Sequence, residues 1–269
     1  MRYTVNKISE QSGLSRQTIR EYADAGILSC TVDEKNNYRY FDADAVNRMN
    51  AVRRLSLMGF SREEVCELVG AMPVAGFEEA VGRRLLAVRE EARRYGEIAE
   101  LLTELREGSA LVRSLGPEDM VLRDVGPLYC LDYRRNEELL LDGKEGARLL
   151  NAWMEQAMYT KNYSPCPHIL EERQMEEHII GLVVEASYAG HFPLEAPVFR
   201  RERAQCACFS FEHDDEMHPK PRSAAFYREK MAAAGLKPAG EAFIIGYLPL
   251  GENGKKKFIT LLHIPVERV

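Results

Sequence analysis

Two short helical patterns on either side of a tight turn constrain this chain most. Apolar residues keep helical spacing through both patterns, at Val5, Ile8, Leu14, Ile19, Tyr22, Ile27 and Leu28. Gly13 can adopt the positive φ that a tight turn between helices needs, and Ser15 stands where an N-cap residue belongs. The next helix is predicted to run from Arg16 to about Ala25 and to end at Gly26, a residue type favoured after a helix. The pattern therefore predicts a helix-turn-helix.

A turn-rich stretch and then a β-prone stretch follow the second helix. Residues 33–37 are Asp-Glu-Lys-Asn-Asn, and residues 38–41 are Tyr-Arg-Tyr-Phe. We expect this segment to form a wing along a phosphate backbone, with Arg39 pairing with a phosphate and Tyr38 packing or donating a hydrogen bond. The alternative is a plain helical hairpin with a solvated basic face.

A second helical pair is predicted over residues 42–70. Asp42 is a plausible N-cap for a helix that runs to about Leu57. Ser61 and Glu64 have the spacing of a capping box at the start of the next helix. Basic side chains of this pair could contact phosphates, but a pair that only completes the core would show the same pattern.

The candidate DNA-contacting side chains lie on the second helix, the wing and the second helical pair: Arg16, Gln17, Thr18, Arg20, Tyr22, Asn37, Tyr38, Arg39, Arg53 and Ser61. Arginine, glutamine and threonine near the start of such a helix can reach phosphates and base edges in a major groove. The chain has a formal net charge of −6, yet its first 60 residues hold nine Lys and Arg against seven Asp and Glu. A slightly basic head on an acidic body suits specific DNA binding.

Several segments of the first 70 residues have a recognisable order and spacing. They are Tyr3-Thr-Val-Asn-Lys-Ile-Ser, residues 13–22, Ala25-Gly-Ile-Leu, the wing, and residues 54–61. Together they resemble the DNA-binding domain of MerR-family transcription regulators. The resemblance implies a homodimer on double-stranded promoter DNA, with RNA polymerase holoenzyme as a partner there. Glu21 departs from the family pattern, and its carboxylate either weakens a phosphate contact or points away.

Residues 77–107 are predicted to form one long helix. Apolar residues recur every seven positions or between them: Val81, Leu85, Val88, Ala92, Tyr95, Ile98 or Ala99, Leu102 and Leu105. This favours an antiparallel coiled-coil seam between two chains, whereas an amphipathic helix packed on its own domain is the alternative. The resulting domain prediction is residues 1–75 for the winged helix-turn-helix, 76–110 for the coiled-coil dimerisation helix, 111–119 for a linker and 120–269 for a C-terminal domain.

The pattern after residue 119 mixes strands and helices. Strands are predicted at 120–125, 127–133, 177–188, 205–212, 243–250 and 257–266, and helices at 143–159 and 223–234. A hairpin turn is predicted at residues 251–254. This order, two halves of strands with a helix each, resembles the GyrI-like effector-binding domain of multidrug-responsive MerR regulators. The predicted fold class of the whole chain is therefore α+β.

The second resemblance implies a small-molecule effector bound in a cleft between the two halves, often an apolar or cationic compound. The candidate effector-binding residues are Trp153, Tyr159, Tyr163, Glu185, Tyr188, Phe209, Tyr227, Tyr247 and Phe258. Aromatic walls with one carboxylate would suit an organic cation, although each ring alone is compatible with a core position. Ile244 and Ile245 stand where the resemblance places an acidic pocket residue, so either the effector is neutral or Glu185 takes that role.

Six scattered cysteines raise an alternative signal. Cys206 and Cys208 alternate along a predicted strand, and His213 and His218 follow, which is compatible with a metal or redox sensor. The chain has no CxxC pair, however, so reduced cysteines in the core are the favoured interpretation.

Other function classes receive little support. A GyrI-like hydrolase fused to a DNA-binding head is a third possibility, but the sequence shows no nucleophile with a base beside it, so we expect no enzyme. No cofactor is implied. No apolar run approaches the roughly 18 residues of a membrane span, and no charged-then-apolar leader opens the chain. We therefore expect a soluble cytoplasmic protein without a membrane partner.

Overall fold

The computed structural model describes residues 2–70, 72–171, 178–214, 222–252 and 255–269, with the backbone alone at 211–214, 247–252 and 255–259. The chain divides into two compact units, Met1–Gly96 and Glu97–Val269. Among the described residues, no helix is both long and apolar enough to cross a membrane.

The first unit contains the helix-turn-helix and a small sheet. Its elements are β1 (Tyr3–Thr4), α1 (Val5–Ser12), α2 (Arg16–Asp24), β2 (Cys30–Val32), β3 (Arg39–Phe41), α3 (Ala43–Leu57), α4 (Arg62–Gly70) and the first part of α5 (Val74–Ser114). β3 lies between β1 and β2 in an antiparallel three-stranded sheet. The predicted helices and wing are confirmed. β1 was not predicted, because two residues are too few to show an alternating pattern.

The turn between α1 and α2 forms as its sequence predicts. Gly13 has φ 67°, in the left-handed region that favours glycine, and Gly26 after α2 has φ 74°. Ser15 caps α2, because its hydroxyl accepts the backbone N–H of Thr18 at 3.0 Å. These contacts fix where α2 begins and therefore which of its side chains face outward.

The predicted caps of the second helical pair are also present. The Asp42 carboxylate accepts the N–H of Ala45 at 2.8 Å at the start of α3. The capping box closes in both directions, since the N–H of Ser61 donates to Glu64 Oε2 at 2.7 Å and the N–H of Glu64 donates to Ser61 Oγ at 3.2 Å. α4 therefore begins at a fixed point beside α2.

One apolar core joins α1 to α4 and the small sheet. Its buried side chains are Ile8, Ile19, Tyr22, Ile27, Leu28, Phe41, Ala45, Met49, Val52, Phe60 and Val65. Burial of each large apolar side chain contributes about 1.5–3 kcal/mol relative to exposure. The inner faces of α1 and α2 are occupied by this core, so their polar residues face outward.

Helix α5 is longer than predicted. It continues to Ser114 and so includes the first residues of the predicted linker. In the second unit, Val112 near its end is buried against Leu261, with Leu111 and Leu115 packed beside them. Burial of this last turn outweighs the low helix propensity of Gly108, the residue just after the predicted end of the helix at residue 107.

The second unit holds most of the strands. After the last part of α5 its elements are β4 (Val121–Val125), β5 (Leu128–Arg135), β6 (Glu138–Leu139), α6 (Gly143–Glu155), β7 (Lys161–Pro165), α7 (His168–Glu171), β8 (Ile179–Glu185), β9 (Phe199–Arg201), β10 (Ala204–Asp214), α8 (Ala224–Ala233), β11 (Leu236–Pro238), β12 (Phe243–Glu252) and β13 (Lys255–Arg268). The α+β class is thereby confirmed.

These strands form one sheet in the order β4-β10-β13-β12-β7-β8-β5-β6, with β11 paired to β13 and β9 to β5. β7 lies in the middle of this order, between β12 and β8. The sequence did not predict it, because Asn, Ser and Pro in its five residues have low strand propensity. Its place in the sheet comes from pairing on both edges.

The two faces of the sheet bury different residues. On β10, Ala207 and Phe209 join the cluster under α8, whereas Cys206 and Cys208 join a cluster on the opposite face. A third cluster packs Trp153 of α6 with buried residues of β5 and β8. Helices α6 and α8 therefore cover part of the sheet. The sheet face opposite α8 lines the cavity that is described in the next subsection.

Candidate functional site

The outer face of α2 presents polar and basic side chains. Arg16, Gln17 and Arg20 are exposed, whereas Ile19 is fully buried. Thr18 is half-buried, and its hydroxyl lies 2.7 Å from the hydroxyl of Ser15. An exposed surface of this kind at the start of a helix can bind an anion, because the N-terminal end of the helix dipole and the arginine side chains are both positive.

The wing is a compact turn between β2 and β3. The N–H of Asp33 donates to the Tyr38 carbonyl at 2.9 Å, and the Asn36 side chain accepts the N–H of Tyr38 at 2.9 Å. Asn37 has φ 57°, which asparagine tolerates better than most residues. This turn leaves the Tyr38 side chain 61% exposed.

Arg39 connects the wing to α2. Its guanidinium pairs with Asp24 at 2.7 Å and donates to the carbonyl of Arg20 at 3.4 Å. Asp24 is largely exposed, and an exposed ion pair contributes at most about 1 kcal/mol. A phosphate could therefore replace Asp24 as the partner of Arg39 at little cost.

Glu21 points sideways along α2 and is held by two neighbours. Its carboxylate pairs with Arg62 at 2.9 Å and accepts from the Gln17 amide at 3.2 Å. Arg62 is the first residue of α4, and its guanidinium lies 6.0 Å from the centre of the Tyr22 ring. Sequence reasoning missed Arg62; the only signal for it was the unusual carboxylate at Glu21.

The remaining candidates of the second helical pair lie near the same turn. The guanidinium of half-buried Arg53 lies 3.5 Å from the point that a Cβ on Gly13 would occupy. Ser61 is exposed, and its hydroxyl takes part in the capping box. The first unit therefore brings α2, the wing and the start of α4 together on one surface, which we name the basic face.

The second unit contains a polar cavity of about 290 Å³. It is lined by Glu104, Arg123, Asp124, Val125, Gly126, Leu128, Tyr159, Lys161, Val183, Glu185, Ile245 and His263. Of the nine predicted effector-binding residues, this cavity brings together Tyr159 and Glu185. Its volume is close to the lower end, about 300 Å³, of known ligand sites.

A three-charge cluster stands in this cavity. The Lys161 ammonium pairs with Glu185 at 3.0 Å and also with Glu104 of α5. Burial opposes the charge of Lys161, but the carboxylates of Glu185 and Glu104 outweigh it and raise the pKa of this lysine. Burial raises the pKa of Glu104, whereas Lys161 overcomes burial and lowers the pKa of Glu185. Glu104 is thus the less stabilised of the two carboxylates.

Two further glutamates of α5 contact residues around this cavity. Glu97 accepts the hydroxyl of Tyr159 at 2.7 Å, and Glu100 accepts the hydroxyl of Tyr188 at 3.4 Å. With Glu104 they lie on one face of the helix, because their spacing is three and then four residues. Within the second unit, this acidic row attaches α5 to the walls of the cavity.

Four of the eight predicted effector-binding rings are core side chains and do not line the described cavity. Trp153, Tyr163, Phe209 and Tyr227 are fully or almost fully buried in the core. Trp153 donates its ring N–H to the Pro193 carbonyl at 3.1 Å. Their large apolar area is needed to fill the space between helices and sheet, which explains why aromatic type alone did not identify the cavity.

The other predicted rings have different positions. Tyr188 is half-buried and its ring centre lies 5.1 Å from that of Tyr159. Tyr247 and Phe258 lie on β12 and β13, but their side chains lie outside the described residues. Of the predicted rings, Tyr159 lines the described cavity, and Tyr188 packs against Tyr159.

The cysteines on β10 are part of the core. Cys206 and Cys208 are fully buried, and burial raises their thiol pKa values to about 11 and about 12. Thiols of this kind are poor nucleophiles and poor metal ligands, since both roles need the thiolate. His213 and His218 lie outside the residues whose side chains are described. Within the described part of the chain, no group of three or more metal-ligating side chains comes together.

Comparison with known proteins agrees with the geometry of the first unit. Residues 3–71 match the family described as MerR HTH family regulatory protein. We call this matching segment the MerR-family domain. The mercuric resistance operon regulatory protein of Bacillus cereus is 24% identical over 72 residues, which are 27% of this chain and 54% of that protein. The regulator CueR of Salmonella typhimurium is 25% identical over 103 residues, which are 38% of this chain and 75% of that protein.

The family model and the two relatives each match less than two fifths of this chain. The chain spans about half the length of the mercuric regulator. A cryo-EM structure of an EcmrR–DNA complex covers 99% of this chain and all of its own, with 13% identity and a TM-score of 0.37, too low to establish a shared fold. Both of the named relatives are regulatory proteins.

The MerR-family domain places most of its predicted contact residues on the basic face. Tyr22 is the correction: only 3% of its surface is exposed, so its ring belongs to the core that supports α2. Tyr22 lies three residues after the buried Ile19 and so has the spacing of an inward-facing position. The sequence pattern allowed both interpretations of Tyr22, as an apolar helix position and as a DNA-contacting residue. Tyr22 therefore holds the helix in place, and exposed neighbours such as Arg20 remain for contact.

Proposed function

We propose that this chain is a dimeric transcription regulator of the MerR type that binds double-stranded promoter DNA. The observation that carries the proposal is the exposed row of Arg16, Gln17 and Arg20 on α2 within a segment that matches the MerR family. Arginine and glutamine side chains can make paired hydrogen bonds to base edges, and they can also bind phosphates.

The basic face divides its contacts between bases and backbone. Arg16, Gln17, Thr18 and Arg20 would lie in the major groove, with Gln17 oriented by Glu21. In the wing, Arg39 would exchange Asp24 for a phosphate, and the exposed side chains of Asn37 and Tyr38 would lie along the backbone. Arg53 and Ser61 would contact the backbone beside the helix-turn-helix.

Two copies of the chain are needed for a two-fold operator, and α5 offers the surface. The predicted apolar row on α5 includes Val81, Leu85, Val88, Tyr95 and Leu102, all of which are exposed in the single chain. Large apolar side chains exposed along one helix favour burial against a second helix. We propose an antiparallel pairing of two α5 helices, with residues 76–110 as the dimerisation segment and residues 120–269 as the effector-binding domain.

The polar cavity is the proposed effector site, and the second unit is proposed to be GyrI-like. An effector there would contact both the sheet and Glu104 of α5, and so bias the position of the helix. By resemblance to MerR regulators, such a change would distort the promoter and allow RNA polymerase holoenzyme to initiate transcription. The effector must bind two arrangements of the protein with different affinity, since otherwise it shifts nothing.

Fluorescence anisotropy tests the DNA-binding part. The full chain would be titrated onto its own upstream DNA between about 50 and 200 mM salt, with Arg20→Ala, Arg39→Ala and, as a control on the second unit, Arg203→Ala. Because the complex should involve several phosphates, the affinity should fall by at least about tenfold over this range. Both variants in the MerR-family domain should weaken binding, and Arg203→Ala should not. Binding that is independent of salt, or equal in all three variants, would refute the proposal.

A further inference from the structure

Two cavities of the second unit share one wall. The polar cavity and a groove of about 260 Å³ both include Glu104, Tyr159 and Lys161 among their lining residues. The groove is otherwise mainly apolar, lined by Ile98, Leu101, Leu102, Leu105, Ala157 and Met158. The Glu104–Lys161 ion pair therefore separates a charged cavity from an apolar groove.

This ion pair can separate only if both of its charges find new partners. Lys161 is mostly buried, with 17% of its side chain exposed, and Glu104 has 32% exposed. A buried charge left without a partner costs several kcal/mol, far more than an exposed one. On separation, Lys161 would lose one of its two carboxylate partners and keep Glu185 at 3.0 Å, and Glu104 would lose its ammonium partner, so each charge needs a replacement.

Simple ions do not meet this condition. A monovalent cation would pair with Glu104 but would have to compete with Lys161, whose ammonium is tethered beside both carboxylates at high effective concentration. A monovalent anion would pair with Lys161 and leave Glu104 without a partner in a cavity whose lining has three carboxylates, Glu104, Asp124 and Glu185, against two basic side chains, Arg123 and Lys161. A molecule that carries an ammonium and a carboxylate close together satisfies both separated charges at once.

We propose that the cavity takes a small zwitterion with an apolar substituent, of the class represented by α-amino acids with apolar side chains. Its ammonium pairs with Glu104, its carboxylate pairs with Lys161, and its apolar part lies in the groove. This inference rests on the proposed function of the second unit as an effector-binding domain. It differs from the organic-cation class that the aromatic residues of the sequence suggested, because four of those rings fill the core.

The apolar part of the ligand contributes through the groove. Leu102 is 60% exposed and Met158 is 40% exposed, so a side chain placed between them removes apolar surface from water. Each buried methylene group contributes about 0.8 kcal/mol, or roughly a fourfold change in affinity. A zwitterion without a side chain, such as glycine, should therefore bind more weakly than one with a large apolar side chain.

Isothermal titration calorimetry of the full chain with three matched probes tests the proposal. L-phenylalanine carries both charges, phenethylamine carries only the ammonium, and 3-phenylpropanoate carries only the carboxylate. Phenylalanine should bind at least about tenfold more tightly than either single-charge probe. Equal or tighter binding of a single-charge probe would overturn the proposal, and so would the absence of phenylalanine binding up to about 10 mM.

Variants locate the site. Lys161→Met should abolish phenylalanine binding and create binding of phenethylamine, because Glu104 and Glu185 are then left without their ammonium. Glu104→Gln should weaken phenylalanine binding at least about tenfold. Exposed Lys144→Met on α6 is the matched control and should change nothing. Trp153 fluorescence reports whether each variant folds. Unchanged phenylalanine binding in a folded Lys161 or Glu104 variant would overturn the assignment.

The two proposals fail separately. The DNA anisotropy experiment needs no ligand and depends on the MerR-family domain, whereas the calorimetry needs no DNA. Salt-dependent DNA binding without phenylalanine binding would overturn only the zwitterion assignment. Phenylalanine binding without DNA binding would overturn the regulator proposal and leave the ligand class standing.

Discussion

Alanine at Gly59 should destabilise the first unit of the chain, whereas alanine at Gly82 should stabilise it. Gly59 has φ 81°, and a Cβ there would lie 2.1 Å from the Arg84 guanidinium. That guanidinium donates to the Met58 carbonyl at 2.9 Å, at the end of α3. Gly82 lies within α5, and a Cβ there would have nothing within 4 Å. The same substitution should therefore have opposite signs at the two positions.

The magnitudes follow from separate physical terms. A left-handed conformation costs an alanine about 1–2 kcal/mol, and loss of the Arg84 hydrogen bond to Met58 costs about 1 kcal/mol. Gly59→Ala should therefore reduce the unfolding free energy of this unit by about 2–3 kcal/mol. In an Arg84→Ala background the cost should fall to about 1–2 kcal/mol, because the displaced partner is already absent. Gly82→Ala should add roughly 0.5–1 kcal/mol through its helix propensity.

Hydrogen exchange measured by mass spectrometry on peptides from α3 and α4 is the appropriate assay, since the only tryptophan, Trp153, lies in the second unit. The four proteins of the Gly59 and Arg84 cycle would be compared under identical conditions. Equal costs of Gly59→Ala with and without Arg84 would show that the close approach carries no energy. A neutral Gly59→Ala would refute the argument altogether.

Three further predictions concern other parts of the chain. Burial lowers the pKa of His263 to about 3, so the unfolded state binds one more proton than the folded state between about pH 6.5 and pH 3. The free energy of unfolding, measured by urea denaturation with Trp153 fluorescence, should fall as pH decreases through this window, by up to about 1.4 kcal/mol per pH unit, and His263→Leu should reduce that slope. Native-state thiol labelling at neutral pH should modify half-buried Cys30 and Cys66 first and reach Cys206 and Cys208 only on unfolding; rapid labelling of Cys206 would revive the redox-sensor alternative. Glu21→Gln should release Arg62 for a phosphate, so the slope of log affinity for DNA against log salt concentration should become steeper by about 0.9. The double variant Glu21→Gln, Arg62→Gln should not show this change. An unchanged slope in Glu21→Gln would show that Arg62 stays away from the DNA.

The sequence predicted the local structure of the MerR-family domain well because its signals are local. Ser15, Asp42 and the Ser61–Glu64 pair satisfy backbone groups within four residues of themselves, so they depend little on the rest of the chain. Gly13 likewise needs only its own φ. Residue order and spacing then sufficed to identify the family resemblance, which the comparison over residues 3–71 supports.

The cavity could not be predicted in the same way, because distant parts of the chain form it. Lys161 meets Glu104 across 57 residues and Glu185 across 24 residues. β7, which carries Lys161, has a weak strand pattern and is fixed by its neighbours β12 and β8. Aromatic type did not separate core from pocket, since both environments favour large rings. Burial and register decide between them, and neither can be read from one strand alone.

The proposed coupling between ligand and DNA depends on α5. In the second unit, this helix contributes Glu104 to the polar cavity, Ile98, Leu101 and Leu105 to the apolar groove, and Leu102 to both the groove and the exposed apolar row. A ligand that replaces Lys161 at Glu104 removes one of the three contacts of the acidic row and changes the surroundings of Leu102. If the exposed row pairs with a second chain as proposed, Leu102 lies where ligand and partner meet. Ligand affinity and dimer geometry must then be linked, because Leu102 belongs to both the groove and the dimer contact, and a change in its surroundings at one site also affects the other.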